Sequence, residues 1–200
     1  MYEFYDDLPD VAIFVHAADE AWHMDGILEG STAYAINNLD FGEVFRRQYV
    51  NLRISWENGC PDWMNTTVTG ASPNYDPGLK GEEPLMKDAF QQIFPNTTVP
   101  ELLAQPCCAQ FAVTKEVIRS VPREQYGNGI KWLEDTSLAD SFSGRIWEHL
   151  WQYLFLQKGV DCPIEYKALC VRTRPLSACA FFICLYLSSY NTPWFLKCLS

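Results

Sequence analysis

The chain has 200 residues, of which 48% are hydrophobic and 20% charged, and its 25 acidic against 15 basic side chains give a net charge of −10. That length suits one domain able to bury its own core, and an aromatic content of 14% with seven Trp excludes a disordered chain. Basic residues pair only at Arg46–Arg47 and Arg172/Arg174, so the acidic balance excludes a surface that tracks nucleic-acid phosphates.

The first element is the apolar run Val11–Val15, bounded by Pro9-Asp10 and His16. Such a run reads as a strand buried on both faces in the middle of a parallel sheet. A helix is expected over residues 31–39 with Ser31 as its cap. From Tyr49 to Trp56 the chain alternates, with Val50, Leu52, Ile54 and Trp56 on one face and Tyr49, Asn51, Arg53 and Ser55 on the other. That pattern predicts a half-buried strand nearer an edge. Residues from Pro61 to Glu83 form a loop long enough to suggest function or mobility. Pro84 then opens a helix carrying Leu85, Ala89, Phe90 and Ile93 inward. Cys107 to Val113 is a third candidate strand, and Arg123–Asp135 a helix weakened by Gly127 and Gly129. The clearest helix runs from about Ser141 to Lys158 and stops at Gly159, with Ile146, Leu150, Tyr153 and Leu154 as its core stripe and Trp147, Trp151 and Phe155 widening it. The expected fold is therefore α/β, a mostly parallel sheet flanked by helices over residues 1–170, incomplete at its N-terminal side and stapled by disulfides.

Residues 171–200 read differently. The apolar run Leu176–Leu187 is too short to span a bilayer and has neither helical nor strand period. It is read as the product of an incorrect gene model, with a buried strand or an interfacial segment as the alternative.

Eight Cys without a CxxC or a finger-like Cys/His spacing favour disulfides over zinc. The candidates are Cys60, Cys107, Cys108, Cys162 and Cys170, with the adjacent Cys107 and Cys108 pointing to opposite faces of a strand and anchoring separate bridges. Glycosylation sequons stand at Asn65 and Asn96. Cysteines and sequons together point to a secretory lumen or the exterior, whereas the start at Met1 carries no signal peptide. Further coding sequence upstream is the expectation that reconciles the two.

Three constellations carry candidate chemistry. His16, Asp19, Trp22 and His23 follow the first strand, where ligands of open sheets gather, and could converge on a metal, a phosphate or a sugar hydroxyl. The alternative is that His16 caps the strand and His23 packs beside Trp22. Arg145, Glu148, His149 and Gln152 share one helix face, either a solvated stripe or, if the helix is buried on both sides, a site. Cys107-Cys108-Ala-Gln110-Phe111 suits structural bridging better than a catalytic thiol. Dinucleotide and P-loop glycines, a GxSxG elbow, HExxH and Asp-x-Asp are all absent.

The ordered series Tyr5-Asp-Asp-Leu-Pro-Asp10, Phe14-Val-His16, Trp22-His23, Tyr49-Val-Asn-Leu-Arg53, Gly59-Cys-Pro61, Cys107-Cys-Ala-Gln-Phe111 and Gly144-Arg-Ile-Trp-Glu148 with Trp151 resembles a fungal family known as domain of unknown function 3431. The resemblance spans about Tyr5 to Cys170; members look longer on the N-terminal side, often after a signal anchor. The family brings no assigned activity, but its layout resembles GT-A-type glycosyltransferases. By that analogy alone, the resemblance implies a nucleotide-sugar donor, a glycan acceptor and a divalent metal. His16, Asp19 or His23 would then face metal or diphosphate, Glu148 would act as a base on an acceptor hydroxyl, and His23, Trp22, Arg145, His149 and Gln110 would contact ligand. Two other classes stand beside this one: a secreted carbohydrate-binding or interaction module, with Trp56, Trp63 and Tyr75 along a groove, and an inactive truncated product.

Overall fold

A computed structural model describes residues 1–20, 22–25, 28 and 30–172, with the side chains of 170–172 left aside. Strands β1 (Val11–Phe14), β2 (Tyr49–Asn51) and β5 (Phe111–Thr114) form one sheet in the order β1-β5-β2, and both outer strands run antiparallel to β5. Strands β3 (Met64–Asn65) and β4 (Leu102–Leu103) make a small antiparallel ribbon. Around them lie α1 (Thr32–Asn37), α2 (Phe41–Arg47), α3 (Met86–Ile93), α4 (Lys115–Ser120), α5 (Arg123–Asp135), α6 (Asp140–Glu148), α7 (Trp151–Leu156) and α8 (Glu165–Arg172).

This overturns the mostly parallel α/β sheet. The run at Val11–Phe14 is not a central strand: it is only partly buried, and Phe14 and Val15 are exposed. A continuous apolar run signals burial but cannot say which edge of a sheet it occupies. The centre belongs to β5, paired along both edges and buried along its whole length, with Phe111 and Val113 in the main core and Ala112 in a second apolar cluster on the other face. The reading of Tyr49–Trp56 as half-buried also fails. Tyr49, Val50, Asn51, Leu52, Arg53 and Ile54 are all buried, so the polar members of the alternation face protein instead of water.

The helices follow local chemistry more closely. Ser31 caps α1 by accepting from the Tyr34 amide at 3.1 Å. Pro84 sits in a 3-10 turn leading into α3, which buries Ala89, Phe90 and Ile93. Helix α5 has the bounds that its pattern predicts. The expected helix 141–158 is instead two: α6 ends at Glu148 with His149 as its cap, and α7 ends at Leu156 with Gln157 capping it in a left-handed turn (φ 53°). Gly159 ends no helix; a Cβ there would lie 2.4 Å from the Leu102 carbonyl oxygen, and the close approach lets the Ala104 amide donate to the Gly159 carbonyl at 2.9 Å.

The main core lies between the sheet and helices α3 to α7, with Tyr49, Phe90, Phe111, Ile146, Leu150 and Leu154 fully shut from water. A disulfide joins Cys60 to Cys162 across 102 residues of sequence and ties the loop after β2 to the approach to α8. Cys107 and Cys108 bridge each other, which corrects the expectation of separate partners. They lie in a turn before β5, where Cys108 and Ala109 take positive φ, and so do not alternate like strand residues. The Cys170 side chain and the tail from residue 173 lie outside the described residues.

Two helical glycines have opposite expected responses to alanine. A Cβ at Gly129 would meet the Trp147 indole at 2.6 Å, whereas at Gly144 nothing lies within 4 Å. Gly144→Ala is expected to stabilise by about 0.5–1 kcal/mol through backbone entropy. Gly129→Ala is expected to destabilise by about 1–3 kcal/mol through overpacking. Urea unfolding of both variants checks the pair of signs.

Candidate functional site

The antiparallel order brings three chain ends to one end of the sheet. Phe14 of β1 and Asn51 of β2 both register against Phe111, the first residue of β5. The segments that leave β1 and β2 therefore meet the segment that enters β5, and they carry His16, Arg53 and Cys107–Gln110. Beyond this end opens a cavity of about 450 Å³ lined by His16, Trp22, His23, Trp63, Glu148 and His149, together with Asn58, Leu79, Glu82, Arg145 and the Cys107–Cys108 pair.

Arg53 forms the support behind the pair. Its side chain is 4% exposed; Nη1 donates to Cys107 Sγ at 2.9 Å and to Cys108 Sγ at 3.4 Å. Its Nε faces Asp25 Oδ1 at 3.4 Å, and Nη2 faces Glu57 Oε2 at 3.6 Å. Asp25 in turn accepts from the Ile54 and Ser55 amides. A buried guanidinium held on several sides in this way fixes the geometry of the turn beside it.

The His16 ring lies 3.9 Å from that of His23, centroid to centroid, and His16 Nε2 reaches the Cys108 carbonyl at 3.3 Å. Burial, reinforced by the positive charges of His16 and Arg53, holds His23 below the usual imidazole range, so it is neutral at pH 7. Its Nε2 is buried without a hydrogen-bond partner. Trp22 stands 76% exposed at the rim. Trp63, also in the lining, carries the Lys80 ammonium over its ring at 4.5 Å, and Lys80 also donates to the Trp63 carbonyl.

The break between α6 and α7 places the acidic wall. The Glu148 carbonyl accepts from Gln105 Nε2 at 2.6 Å, and Gln105 accepts from the Tyr49 hydroxyl at 2.8 Å. This chain of bonds anchors the end of α6 to the sheet while the Glu148 and His149 side chains face the cavity. His149 Nε2 lies 3.3 Å from Glu82 Oε1, and Arg145 Nη1 lies 3.6 Å from Glu82 Oε2.

The two carboxyls are driven apart. Burial raises Glu148, and the Glu82 charge adds to the rise against the pull of His149, His16 and Arg145. Burial would raise Glu82 as well. The His149 hydrogen bond, its own amide and the charges of His149 and Arg145 outweigh that and hold it below the ordinary carboxylate range. The two carboxyls are thus shifted in opposite directions within one cavity, a pairing suited to acid–base chemistry.

Not every expected residue takes part. Asp19 is turned away and caps α1, with Oδ1 accepting from Ser31 Oγ at 3.0 Å and the Ala33 amide at 2.8 Å. His16, Asp19 and His23 therefore do not form a ligand set, and among the described residues no group of three or more His, Cys, Asp and Glu could hold a metal ion. Gln110 is fully buried behind the site; its Oε1 accepts from the His16 amide at 3.4 Å, and its Nε2 donates to Met24 Sδ. Gln152 leaves the polar stripe with the helix break and donates to the Gly159 carbonyl at 3.1 Å. Trp56 donates to the Pro163 carbonyl and Tyr75 to the Gly81 carbonyl, and neither lines the cavity. Asn65 accepts from Thr67 of its own sequon, while Asn96 is exposed after α3.

Sequence reasoning passed over Glu82, Arg53 and Asp25. An Arg set between Leu52 and Ile54 was the available signal for one of them. Glu82 gave none beyond its place at the end of the long loop.

The split carboxyls make opposite predictions for stability. Glu82 is depressed in the folded state, so its contribution is present above the ordinary carboxylate range and lost as pH falls through the folded value. Glu82→Gln is expected to cost about 1–3 kcal/mol at pH 7.5 and much less at pH 3. Glu148 is raised, so its ionisation penalises the folded state as pH rises, and Glu148→Gln is expected to gain stability at pH 7.5. Urea unfolding of both variants and the parent at the two pH values checks each sign.

Among the described residues no helix is long and apolar enough to cross a membrane. Searches of curated proteins and of solved structures found no match. The family model described as protein of unknown function (DUF3431) matches residues 1–171, the whole of the sheet, the helices around it and the cavity, and the chain belongs to that family.

Proposed function

We propose that the cavity binds a glycan and that Glu148 takes the proton from one of its hydroxyls, the acceptor side of a sugar-transfer reaction in the secretory lumen. The observation that carries this reading is one cavity in which Glu148, raised by burial, stands with Glu82, held down by His149 and Arg145, beside an exposed indole, Trp22. Burial makes Glu148 a stronger base than an ordinary carboxylate. Glu82, buttressed by His149 and Arg145, supplies hydrogen-bond acceptors that need no protonation change. Trp22 offers an exposed flat face for the C–H side of a sugar ring, the Lys80-capped Trp63 indole adds to the lining, and polar groups in the same lining meet the hydroxyls. The Cys60–Cys162 bridge suits an oxidising compartment.

Binding without turnover is the second reading, favoured by the exposed Trp22 and by Trp63. Calorimetric titration with an oligosaccharide panel, followed by transfer assays with nucleotide sugars, separates the two. Trp63→Ala is expected to weaken glycan binding at least tenfold, by about 1–3 kcal/mol. Glu148→Gln is expected to leave binding within a few-fold but abolish transfer, and the parent's rate is expected to rise with pH as Glu148 ionises. Absence of binding across the panel overturns the proposal; transfer that survives Glu148→Gln removes the base role; binding with no transfer in the parent leaves the binding module.

A further inference from the structure

The Cys107–Cys108 pair has surroundings that a purely structural bridge does not need. Cys107 and Cys108 both line the cavity and keep a small exposed fraction, 9% and 6%. A buried guanidinium edge also points at them, closer to Cys107 Sγ (2.9 Å) than to Cys108 Sγ (3.4 Å). A neutral disulfide is a weak acceptor, so the oxidised pair gains little from this cation. A thiolate in the same place would gain a charge-assisted hydrogen bond in a buried setting. The environment thus favours the reduced pair, and reduction becomes easier where the reduced form is stabilised.

We propose that Cys107–Cys108 is a redox-active centre that exchanges with small thiols entering the cavity. The thiolate of a small thiol attacks Cys108 Sγ. A new S–S bond forms there, the Cys107–Cys108 bond breaks, and its electron pair goes to Cys107 Sγ, which leaves as a thiolate against Arg53. A second small thiol attacks the adduct at the small-thiol sulfur and releases Cys108, which takes up a proton. Two small thiols are oxidised to their disulfide, two electrons enter the pair, and one proton passes to solvent. Opening the bridge also frees a turn in which two successive residues other than glycine, Cys108 (φ 82°) and Ala109 (φ 49°), hold left-handed conformations. His16 is bonded to the Cys108 carbonyl, so the cavity wall shifts with the redox state.

The centre stands on the contact between Arg53 and the sulfurs and does not depend on the glycan reading; its test contains no sugar. The folded full chain is equilibrated in glutathione buffers of graded ratio, quenched in acid, alkylated and mapped by mass spectrometry. The pair is expected to open at ratios where Cys60–Cys162 stays closed, with the trapped glutathione adduct on Cys108. Arg53→Met is expected to shift the equilibrium at least tenfold toward the disulfide, about 30 mV, without moving Cys60–Cys162. Arg53→Lys, which keeps the cation, is expected to shift it less, and it serves if the methionine variant does not fold. A pair that opens only together with Cys60–Cys162, an adduct on Cys107, or a midpoint indifferent to the residue at 53 overturns the proposal.

Discussion

A guanidinium shut away from water must be paired, and the way Arg53 meets this demand organises the end of the sheet. Its partners come from three separate segments: Asp25 after β1, Glu57 beyond β2, and the sulfurs of Cys107 and Cys108 before β5. Asp25 extends the same arrangement by accepting from the amides that follow Arg53. Asp25 is the buried counter-charge, and removing it would leave the guanidinium charge in a place that water hardly reaches. The three segments are therefore held in one arrangement, and the cavity floor is the surface they share.

The wall opposite is built by another buried polar residue. Gln105 joins the Tyr49 hydroxyl to the Glu148 carbonyl, so the end of α6 is tied to β2 through a single side chain. Glu148 and His149 are thereby presented to the cavity, while Gln152, only three residues beyond His149, is buried elsewhere. The proximity of Glu82 then differentiates the two carboxyls. For Glu82 burial is outweighed by a direct hydrogen bond from His149 together with its own amide and the charges of His149 and Arg145. For Glu148 burial outweighs the pull of His149, His16 and Arg145, and the Glu82 charge adds to the rise. Two residues of the same type acquire different protonation behaviour from position alone.

Much of the helical structure was legible because helix signals are local. The Ser31 cap, the turn entered through Pro84 and the bounds of α5 depend on neighbours within a few positions. The sheet was not, because pairing direction and strand order are non-local. Val11–Phe14 and Phe111–Thr114 are similar apolar runs, yet one lies at an edge and the other at the centre. The break at His149 was equally hidden, since the bond that anchors it comes from Gln105, 43 positions away from Glu148.

By itself the sequence determined that the chain is globular, stapled and acidic and that Ser31 caps a helix, and it singled out His16, Trp22, His23, Arg145, Glu148 and His149 as candidates. Only the tertiary structure decided that these six share one cavity and that Asp19 spends its carboxylate on a helix cap. It also decided that Cys107 and Cys108 join each other and that Arg53 lies behind them. The physical reason is one of range. Capping and amphipathic period act over a turn or two of chain, whereas the pairing of a buried charge and the register of a strand are settled by whichever distant segment the core brings alongside.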